Sequence, residues 1–302
     1  MSESARLDGS PSVSVVIPTL NEAQNLPHVF PRLPDDAEII VVDGRSSDGT
    51  VDVARSLRPD AVIVNQTRRG KGNAVACGCA AATGDVVVML DADGSADPAE
   101  IPQFVRALTA GADFARGSRF LPRAGSSDIT PLRRAGNRWL NALANIAVHA
   151  RFTDLCYGYN AFWRQCIPAF GLDPGERDQK LSWGDGFEVE TLISIRTVQA
   201  GFRVVEVPSF EHRRLHGSSK LHPVSDGLRV LFVIIKECGW SGRRRSRSRM
   251  LSVSAPSVGF RHVAGADGHG LDPRTEEARR PLDAASREAT GAVAALNGRP
   301  IR

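Results

Sequence analysis

The sequence predicts an α/β fold, a mostly parallel sheet flanked by helices. Three observations carry this reading. Short apolar runs alternate regularly with helical stretches over residues 13–120, the pattern of strands joined by crossover helices. The run Val86 to Leu90 is apolar throughout, without alternation, as a strand covered on both faces reads. Acidic residues recur at strand ends: Glu22 shortly after the first strand, Asp43 after the second, Asp91 and Asp93 after the central one. In an open α/β sheet, ligands sit just past the carboxyl ends of the strands.

Taken in order, residues 1–12 are polar and read as a frayed terminus. Val13 to Ile17 is the first strand, stopped by Pro18. Thr19-Leu20-Asn21-Glu22 leads into a helix running to about Leu33, with Asn21 as its candidate cap. Glu38 to Val42 is the second strand, and the polar turn Asp43 to Thr50 opens a helix to about Leu57. Ala61 to Asn65 is a short third strand. Arg68 to Asn73 enters a helix of small residues, Ala74 to Ala82, which can lie close to the sheet. The central strand then ends in Asp91-Ala92-Asp93, and Gly94 breaks it. If strand geometry persists, both carboxylates project to the same side. Asp97 caps the next helix, with Pro98 in its first turn. Asp113 to Ala115 is a further strand before Gly117-Ser118-Arg119-Phe120.

From Leu121 the pattern changes. Arg123 to Thr130 reads as a loop, and Pro131 to Ala150 as a helix with Trp139, Leu140, Leu143 and Ile146 on one side. Tyr157 to Phe162 is an aromatic loop or strand. Phe187 to Ala200 reads as a helix carrying Glu188 and Glu190 near its start, where acids suit the dipole. Arg203 to Val207 is a strand, His212 to Lys220 a basic loop, and Asp226 to Trp240 a helix. The organisation expected is one domain over 13–240, in two halves (13–120 and 121–240), followed by a basic, largely disordered tail over 241–302.

Composition excludes several classes. The 302-residue chain is 42% hydrophobic, enough for a substantial core, and its formal charge is only +4. Much of that charge lies in Arg243 to Arg249, so no general nucleic-acid face is implied. The five cysteines are scattered, and Cys77-Gly78-Cys79 is too tight for the usual zinc spacing. They read as reduced core residues of a cytoplasmic protein. Residues 1–12 lack the apolar centre of a secretory signal, and no apolar stretch approaches a membrane span.

Asp91-Ala92-Asp93 carries the sharpest chemistry. Two carboxylates held together need a cation or a shared proton. A hard divalent ion with oxygen ligands fits, and Mg²⁺ of this kind also binds substrate phosphates. Alone, the same tripeptide is equally what a solvated turn or a helix cap presents.

Six segments occur in an order that resembles family 2 glycosyltransferases of the GT-A fold: VSVVIPTLNE, EIIVVDGRSSDGT, RGKGNA, GDVVVMLDADGS, GADFARGSRF and GSSKL. Within that family the chain looks most like the dolichyl- or polyprenyl-phosphate mannose or glucose synthases, over roughly residues 12–238. The resemblance implies a nucleotide-sugar half, 13–120, and an acceptor half, 121–240. It implies that Pro18, Leu20 and Glu22 line the nucleotide pocket and that Asp43 binds the base or ribose. Lys71 and Ala92 fall in the motifs assigned to donor binding. Asp91 and Asp93 match the family's Asp-Xaa-Asp, which holds Mg²⁺ or Mn²⁺ on the donor diphosphate. Arg119, Arg214 and Lys220 match positions that contact phosphates, and Asp93, Arg119 and Lys220 form the expected catalytic set. Gly44 stands where many relatives have a second Asp, and Ser95 where related synthases often carry Gln, which weakens any longer list of metal ligands.

The chemistry agrees with this resemblance. Transfer of a sugar from a nucleotide donor develops negative charge on the leaving diphosphate, which a metal and preorganised cations would stabilise. A hydroxyl acceptor needs a general base; a lipid monophosphate, largely dianionic at neutral pH, needs cations instead. The basic loop Arg213 to Lys220 favours the lipid phosphate, while Asp185 or Glu188 as a base would favour a hydroxyl. The expected partners are therefore a nucleotide-sugar donor and a polyprenyl-phosphate acceptor. An anionic membrane is a third, contacted peripherally from the cytoplasmic face through the helix 226–240 and Arg243 to Arg249. The rival readings are transfer to a saccharide or small-molecule hydroxyl, a nucleotidyltransferase, and a non-catalytic sugar-nucleotide binder. A Rossmann dehydrogenase is excluded by Pro-Thr-Leu-Asn-Glu in place of a Gly-x-Gly-x-x-Gly turn after the first strand.

Overall fold

The computed structural model describes residues 10–175, 183–218, 222–248 and 261–262. Its main sheet runs in the order β10-β8-β5-β7-β4-β1-β2-β3. The strands are β1 (Val13–Thr19), β2 (Glu38–Asp43), β3 (Val62–Asn65), β4 (Val86–Met89), β5 (Phe114–Ser118), β7 (Asn160–Trp163), β8 (Val204–Pro208) and β10 (Arg261–His262). All pairings are parallel except those of β7, which lies antiparallel between β4 and β5. A small parallel pair, β6 (Gly125–Ser126) with β9 (Phe210–Glu211), stands apart.

Each central strand buries both faces, and its alternate residues serve two cores. Val16, Ile40, Val42, Val87 and Met89 face one core. It also takes side chains from α3 (Lys71–Ala81), α5 (Pro131–Val148), α6 (Ile167–Phe170), α7 (Val189–Gln199) and α8 (Pro223–Ser248). Val15, Ile17, Ile39, Val41, Val86 and Val88 face the other, with α1 (Leu26–Val29), α2 (Thr50–Leu57) and α4 (Ile101–Thr109). This explains why these runs show no alternation of polarity. Each such side chain contributes roughly 1.5–3 kcal/mol by burial. The small residues of α3 are needed for close approach: a Cβ on Gly78 would lie 2.2 Å from Val16 Cγ1.

Several local expectations are corrected. Asn21 caps no helix; it sits at φ 57° and its Oδ1 accepts from the Ser47 amide at 2.8 Å, tying two rim loops together. The helix expected to run to Leu33 is only α1 and a 3₁₀ turn, Phe30–Arg32, because Pro27 and Pro31 cannot donate to a continuing ladder. Asp97 does cap, accepting from the Ala99 amide, but onto a 3₁₀ turn that precedes α4. On α5, Leu140 is buried, yet Trp139 and Ile146 are 58% and 75% exposed, so they are not core residues. Helix α8 continues past Trp240 to Ser248. Ser12, in the terminus expected to fray, is anchored through its amide and hydroxyl to Asp85 Oδ2 at 3.0 and 2.7 Å. Arg261–His262, in the tail expected to be disordered, pairs with β8; most of that tail lies outside the described residues. Among the described residues no helix is long and apolar enough to cross a membrane.

Candidate active site

Parallel strands put the ends of β1, β2, β3, β4 and β5 on one rim, and antiparallel β7 brings its beginning to the same place. The rim therefore holds both the acidic strand ends and the loop Tyr157-Gly158-Tyr159. Strand β4 ends at Met89, so strand alternation does not align Asp91 with Asp93. They share the rim because each is held by its own cation.

Lys71, at the start of α3, is the first of these cations. Its Nζ lies 2.6 Å from Asp91 Oδ1 and 2.8 Å from Glu190 Oε1. Burial alone would lower its pKa; Asp91 and then Glu190 outweigh this and hold it well above the ordinary range. Burial raises the pKa of Glu190, opposed by Lys71 and reinforced by Asp91. Gly158 is what allows this knot to form. A Cβ there would stand 2.8 Å from Lys71 Nζ, 3.1 Å from Asp91 Oδ2 and 3.3 Å from Glu190 Oε1.

Arg214 is the second cation. It donates to Glu22 Oε1 and Oε2 at 2.9 and 3.1 Å, and its Nη2 lies 3.2 Å from Asp93 Oδ2. Burial lowers its pKa, but Asp93 and Glu22 overcome that and raise it. The segment carrying Arg214 is strapped onto the donor rim. Leu215 N donates to Asp93 O at 3.1 Å and His212 N to Ser95 O at 2.8 Å. His216 N donates to Asn25 Oδ1 at 2.9 Å. The described part of the basic loop, residues 212–218, is thus tied to the rim, and its Arg213, Arg214 and Gly217 line the cavity although most of the segment is exposed.

Arg119 follows β5 and is buried. Its Nε and Nη2 donate to Asp154 at 2.6 and 2.9 Å, its Nη1 to both Glu211 oxygens at 3.0 Å, and it stacks 4.9 Å over Tyr157. Burial would lower its pKa; the two carboxylates, Asp154 first, hold it far above the usual range. This guanidinium is already matched by protein acids, a fact that bears on any phosphate contact assigned to it. Behind it, fully buried Arg116 donates to Asp154 O at 2.6 Å, to Leu155 O and to Ser194 Oγ, fixing the segment that carries Asp154.

Pro18, Leu20, Glu22, Lys71, Asp91, Ala92, Asp93, Arg119 and Arg214 all line one cavity of about 700 Å³. Asp43 does not line it. It is buried at the end of β2, where Oδ2 accepts from the Ser46 amide at 3.0 Å and Oδ1 has no hydrogen-bond partner among the described residues. Lys220 lies outside the described residues. Neither candidate base lines the cavity: Asp185 is held by Arg68 through two bonds of 2.8 and 2.9 Å, and Glu188 Oε2 is buried 3.9 Å from Arg229. Cys156 does line it, but burial first of all pushes its thiol up to about 12, so it is no nucleophile at neutral pH.

From the sequence, Glu190 reads only as a helix-dipole acid, and Tyr157, Gly158, Gln66 and Arg133 are not distinguished as cavity residues. Nothing local distinguishes them: β7's reversed direction brings in Tyr157 and Gly158, α7 brings Glu190, the end of β3 brings Gln66 and α5 brings Arg133.

Among the described residues no cluster of three or more His, Cys, Asp or Glu forms a ready metal cage. The donor set nonetheless suits Mg²⁺ or Mn²⁺ of the kind held by one or two carboxylates, with substrate phosphates and water completing the shell. Asp91 and Asp93 are hard oxygen donors on the cavity wall, and the Asp91 side chain is 36% exposed there.

Comparison with known proteins agrees with this geometry. Residues 14–167 match the family model described as glycosyl transferase family 2. The chain is 36% identical over 221 residues to the undecaprenyl-phosphate mannosyltransferase of Micrococcus luteus, covering 69% of this chain and 87% of that one. It is 34% identical over 248 residues to the polyprenol monophosphomannose synthase of Mycolicibacterium smegmatis, covering 76% and 87%. The glucosyl-3-phosphoglycerate synthase of Mycobacterium tuberculosis, crystallised with Mn²⁺ and uridine diphosphate, superposes with a TM-score of 0.58 at 23% identity, covering 76% of this chain and 80% of that one. A family match over half the chain, strong relatives along most of it and a shared sheet architecture converge: this protein belongs to glycosyl transferase family 2 and is a glycosyltransferase of the GT-A fold.

Proposed function

We propose that this enzyme transfers a hexose from a nucleotide sugar, GDP-mannose or UDP-glucose, to a polyprenyl or dolichyl phosphate, with Mg²⁺ or Mn²⁺ and with inversion at the anomeric carbon. The observation that carries the reading is the mixed lining of the cavity. The strand rim and its loops contribute the charged Asp91, Asp93, Lys71 and Arg214. The α5 and α8 side contributes the apolar Ile129, Leu132, Leu140, Val224 and Val230, with Arg133, Asn137 and Asp226 among them. A sugar nucleotide suits the rim, and a phosphate bearing a hydrocarbon tail suits a wall that offers both a cation and apolar side chains. The names of the mannosyltransferase relatives point the same way.

In this reading a phosphate oxygen of the acceptor attacks the anomeric carbon, and the bond to the donor diphosphate breaks. The acceptor oxygen is already anionic, so no base has to remove a proton. That suits a cavity in which Glu22, Asp91, Asp93, Asp128, Glu190 and Glu211 are each paired with a cation and Asp226 accepts from the His222 amide. The divalent ion, when bound by Asp91 and Asp93, supplies Lewis-acid stabilisation of the leaving diphosphate. Lys71 holds Asp91 in place, and Arg214 links Glu22 to Asp93, so donor wall and acid pair are preorganised. Arg119, saturated by Asp154 and Glu211, fixes the wall from β5 to β9. Cavity residues Arg133 and Arg213, with Lys220, are the cations assigned to the acceptor phosphate.

Apolar side chains continue along α5 and α8 outside the cavity. Leu132, Trp139 and Ile146 recur at i, i+7 and i+14 on α5, and Val224, Leu228, Phe232 and Ile235 follow one side of α8, all exposed. Arg134, Arg138, Arg229 and Lys236 beside them are exposed too. We assign this basic, apolar face to the surface of an anionic membrane, from which a polyprenyl tail would enter between α5 and α8.

The test is a donor–acceptor matrix: GDP-mannose, UDP-glucose, UDP-galactose and UDP-N-acetylglucosamine, each with and without a short polyprenyl phosphate. The expected result is a lipid gaining one hexose from one donor, dependent on metal. Nucleoside diphosphate release without any change in the lipid would refute the acceptor.

A further inference from the structure

Each carboxylate oxygen of Asp91 and Asp93 already has a donor beside it. Lys71 Nζ lies 2.6 Å from Asp91 Oδ1 and 2.9 Å from Oδ2. The Ser95 amide donates to Asp93 Oδ1 at 3.0 Å, and Arg214 Nη2 lies 3.2 Å from Asp93 Oδ2. The two cations hold their acids differently. Lys71 makes two short contacts to Asp91, whereas Arg214 makes one longer contact to Asp93. The Nη1 of Arg214 stays on Glu22, whose Oε2 also accepts from Asn25 Nδ2 at 2.5 Å. Arg214 can therefore leave Asp93 and still keep an acid.

A divalent ion that takes Asp93 Oδ2 meets the Arg214 charge at close range, and like charges repel. The ion and the guanidinium are competitors for one oxygen. The backbone around Arg214 is fastened to the same turn: Leu215 N donates to Asp93 O at 3.1 Å and His212 N to Ser95 O at 2.8 Å. Leu215 also packs over Gly94, where a Cβ would stand 2.6 Å from Leu215 Cδ1. What binds at Asp93 is thus felt along residues 212–216.

We propose that Arg214 is a resident counter-ion that competes with the divalent ion for Asp93, so that the ion binds weakly alone and tightly only with a diphosphate, which takes over the displaced guanidinium. The affinity that the ion loses to Arg214 without a diphosphate is regained when both are present, and the coupling is reciprocal. This rests on the metal part of the proposed function and names the residue that links metal to donor; it is independent of the sugar and of the acceptor.

The test is Mn²⁺ binding to the full chain without nucleotide, read from the spin resonance of free Mn²⁺. Arg214→Gln is expected to bind Mn²⁺ about tenfold tighter than the wild type, since it removes one charge-assisted contact from Asp93. Arg213→Gln removes an equal charge from the same cavity wall, but Arg213 donates to Ser127 O rather than to Asp93. It should leave Mn²⁺ affinity unchanged. Equal tightening in both variants would reduce the effect to net charge and overturn the inference, as would no tightening in Arg214→Gln. Amide exchange of the wild type needs no variant to fold. Saturating Mn²⁺ alone should speed exchange at Leu215 and His216, and adding UDP or GDP should slow it again. Unchanged or slower exchange in Mn²⁺ alone would mean that Arg214 stays on Asp93, and would overturn the inference while leaving the metal reading intact. No Mn²⁺ binding even with UDP or GDP would sink the metal reading and the inference with it.

Discussion

The Lys71 ammonium lies 2.6 Å from Asp91 Oδ1 and 2.9 Å from Oδ2, so the first residue of α3 grips the acid that follows β4. The same ammonium holds buried Glu190. Its removal would leave two acids facing each other in a poorly solvated site.

Lys71→Met is therefore expected to cost about 3 kcal/mol of stability, the order found when one partner of a buried pair is deleted. Chemical denaturation measures this. Lys71→Met combined with Glu190→Gln should recover part of the loss, because the second change removes the stranded charge. Additive losses in the double variant would mean the two residues are not coupled.

In the proposed mechanism Asp93→Ala is expected to lower kcat on the order of 100-fold or more, because a Lewis acid that it would help to hold is worth several kcal/mol in the transition state. Chelation of divalent ions should do the same to the wild type, with activity returning on adding Mg²⁺ or Mn²⁺. Amide exchange adds a structural readout: with Arg214 released from Asp93, the 212–216 segment should exchange faster in the variant. Near-normal turnover of Asp93→Ala in chelator would exclude the assignment.

Asp154 is expected to make stability fall in acid. Burial alone would raise its carboxyl pKa, but Arg119 overcomes this and holds it below its ordinary value of 3.8. In the unfolded chain the pKa returns to that value, so between the two the unfolded state binds more protons and stability rises with pH. The contribution is complete above about pH 5 and is lost as pH falls through the folded value. Urea denaturation from pH 5 to pH 3 should show falling stability. Asp154→Asn should be less stable at neutral pH, with a flatter acid slope. An unchanged slope would assign the acid limit to other carboxylates.

Membrane docking predicts sedimentation with anionic vesicles at low salt, weakening as salt screens the basic residues. Trp139→Asp or Leu228→Asp should reduce the bound fraction by about tenfold in affinity, from the lost apolar burial. Equal recovery in the supernatant with and without vesicles would remove this face from the membrane.

Arg119→Lys is not conservative here. A lysine cannot bridge Asp154 and Glu211 in two-pronged fashion. Loss of a buried partner of this kind costs about 3 kcal/mol, read as a lowered denaturation midpoint. A mere rise in acceptor KM at unchanged stability would instead make Arg119 a direct phosphate contact.

The sequence by itself determined the central strands and the rim. Unbroken apolar runs such as Val86 to Leu90 could be satisfied only by burial on both faces, and acids placed just after such runs had to lie at the strand ends. It also determined most of the donor wall, because Pro18 lies at the end of β1 while Leu20, Glu22 and Asp91 to Asp93 come shortly after their strands. Local pattern did not reveal that β7 runs backwards, and that reversal brings Gly158 against Lys71 and Asp91. Nor did it reveal that Glu190 serves Lys71 or that Glu211 serves Arg119. These ion pairs join residues distant in the chain, and no periodicity encodes them. Trp139 and Ile146 make the same point in reverse. A helical stripe shows that one side is apolar, but only the packing of α5 against its neighbours decides which apolar residues are covered and which stay exposed.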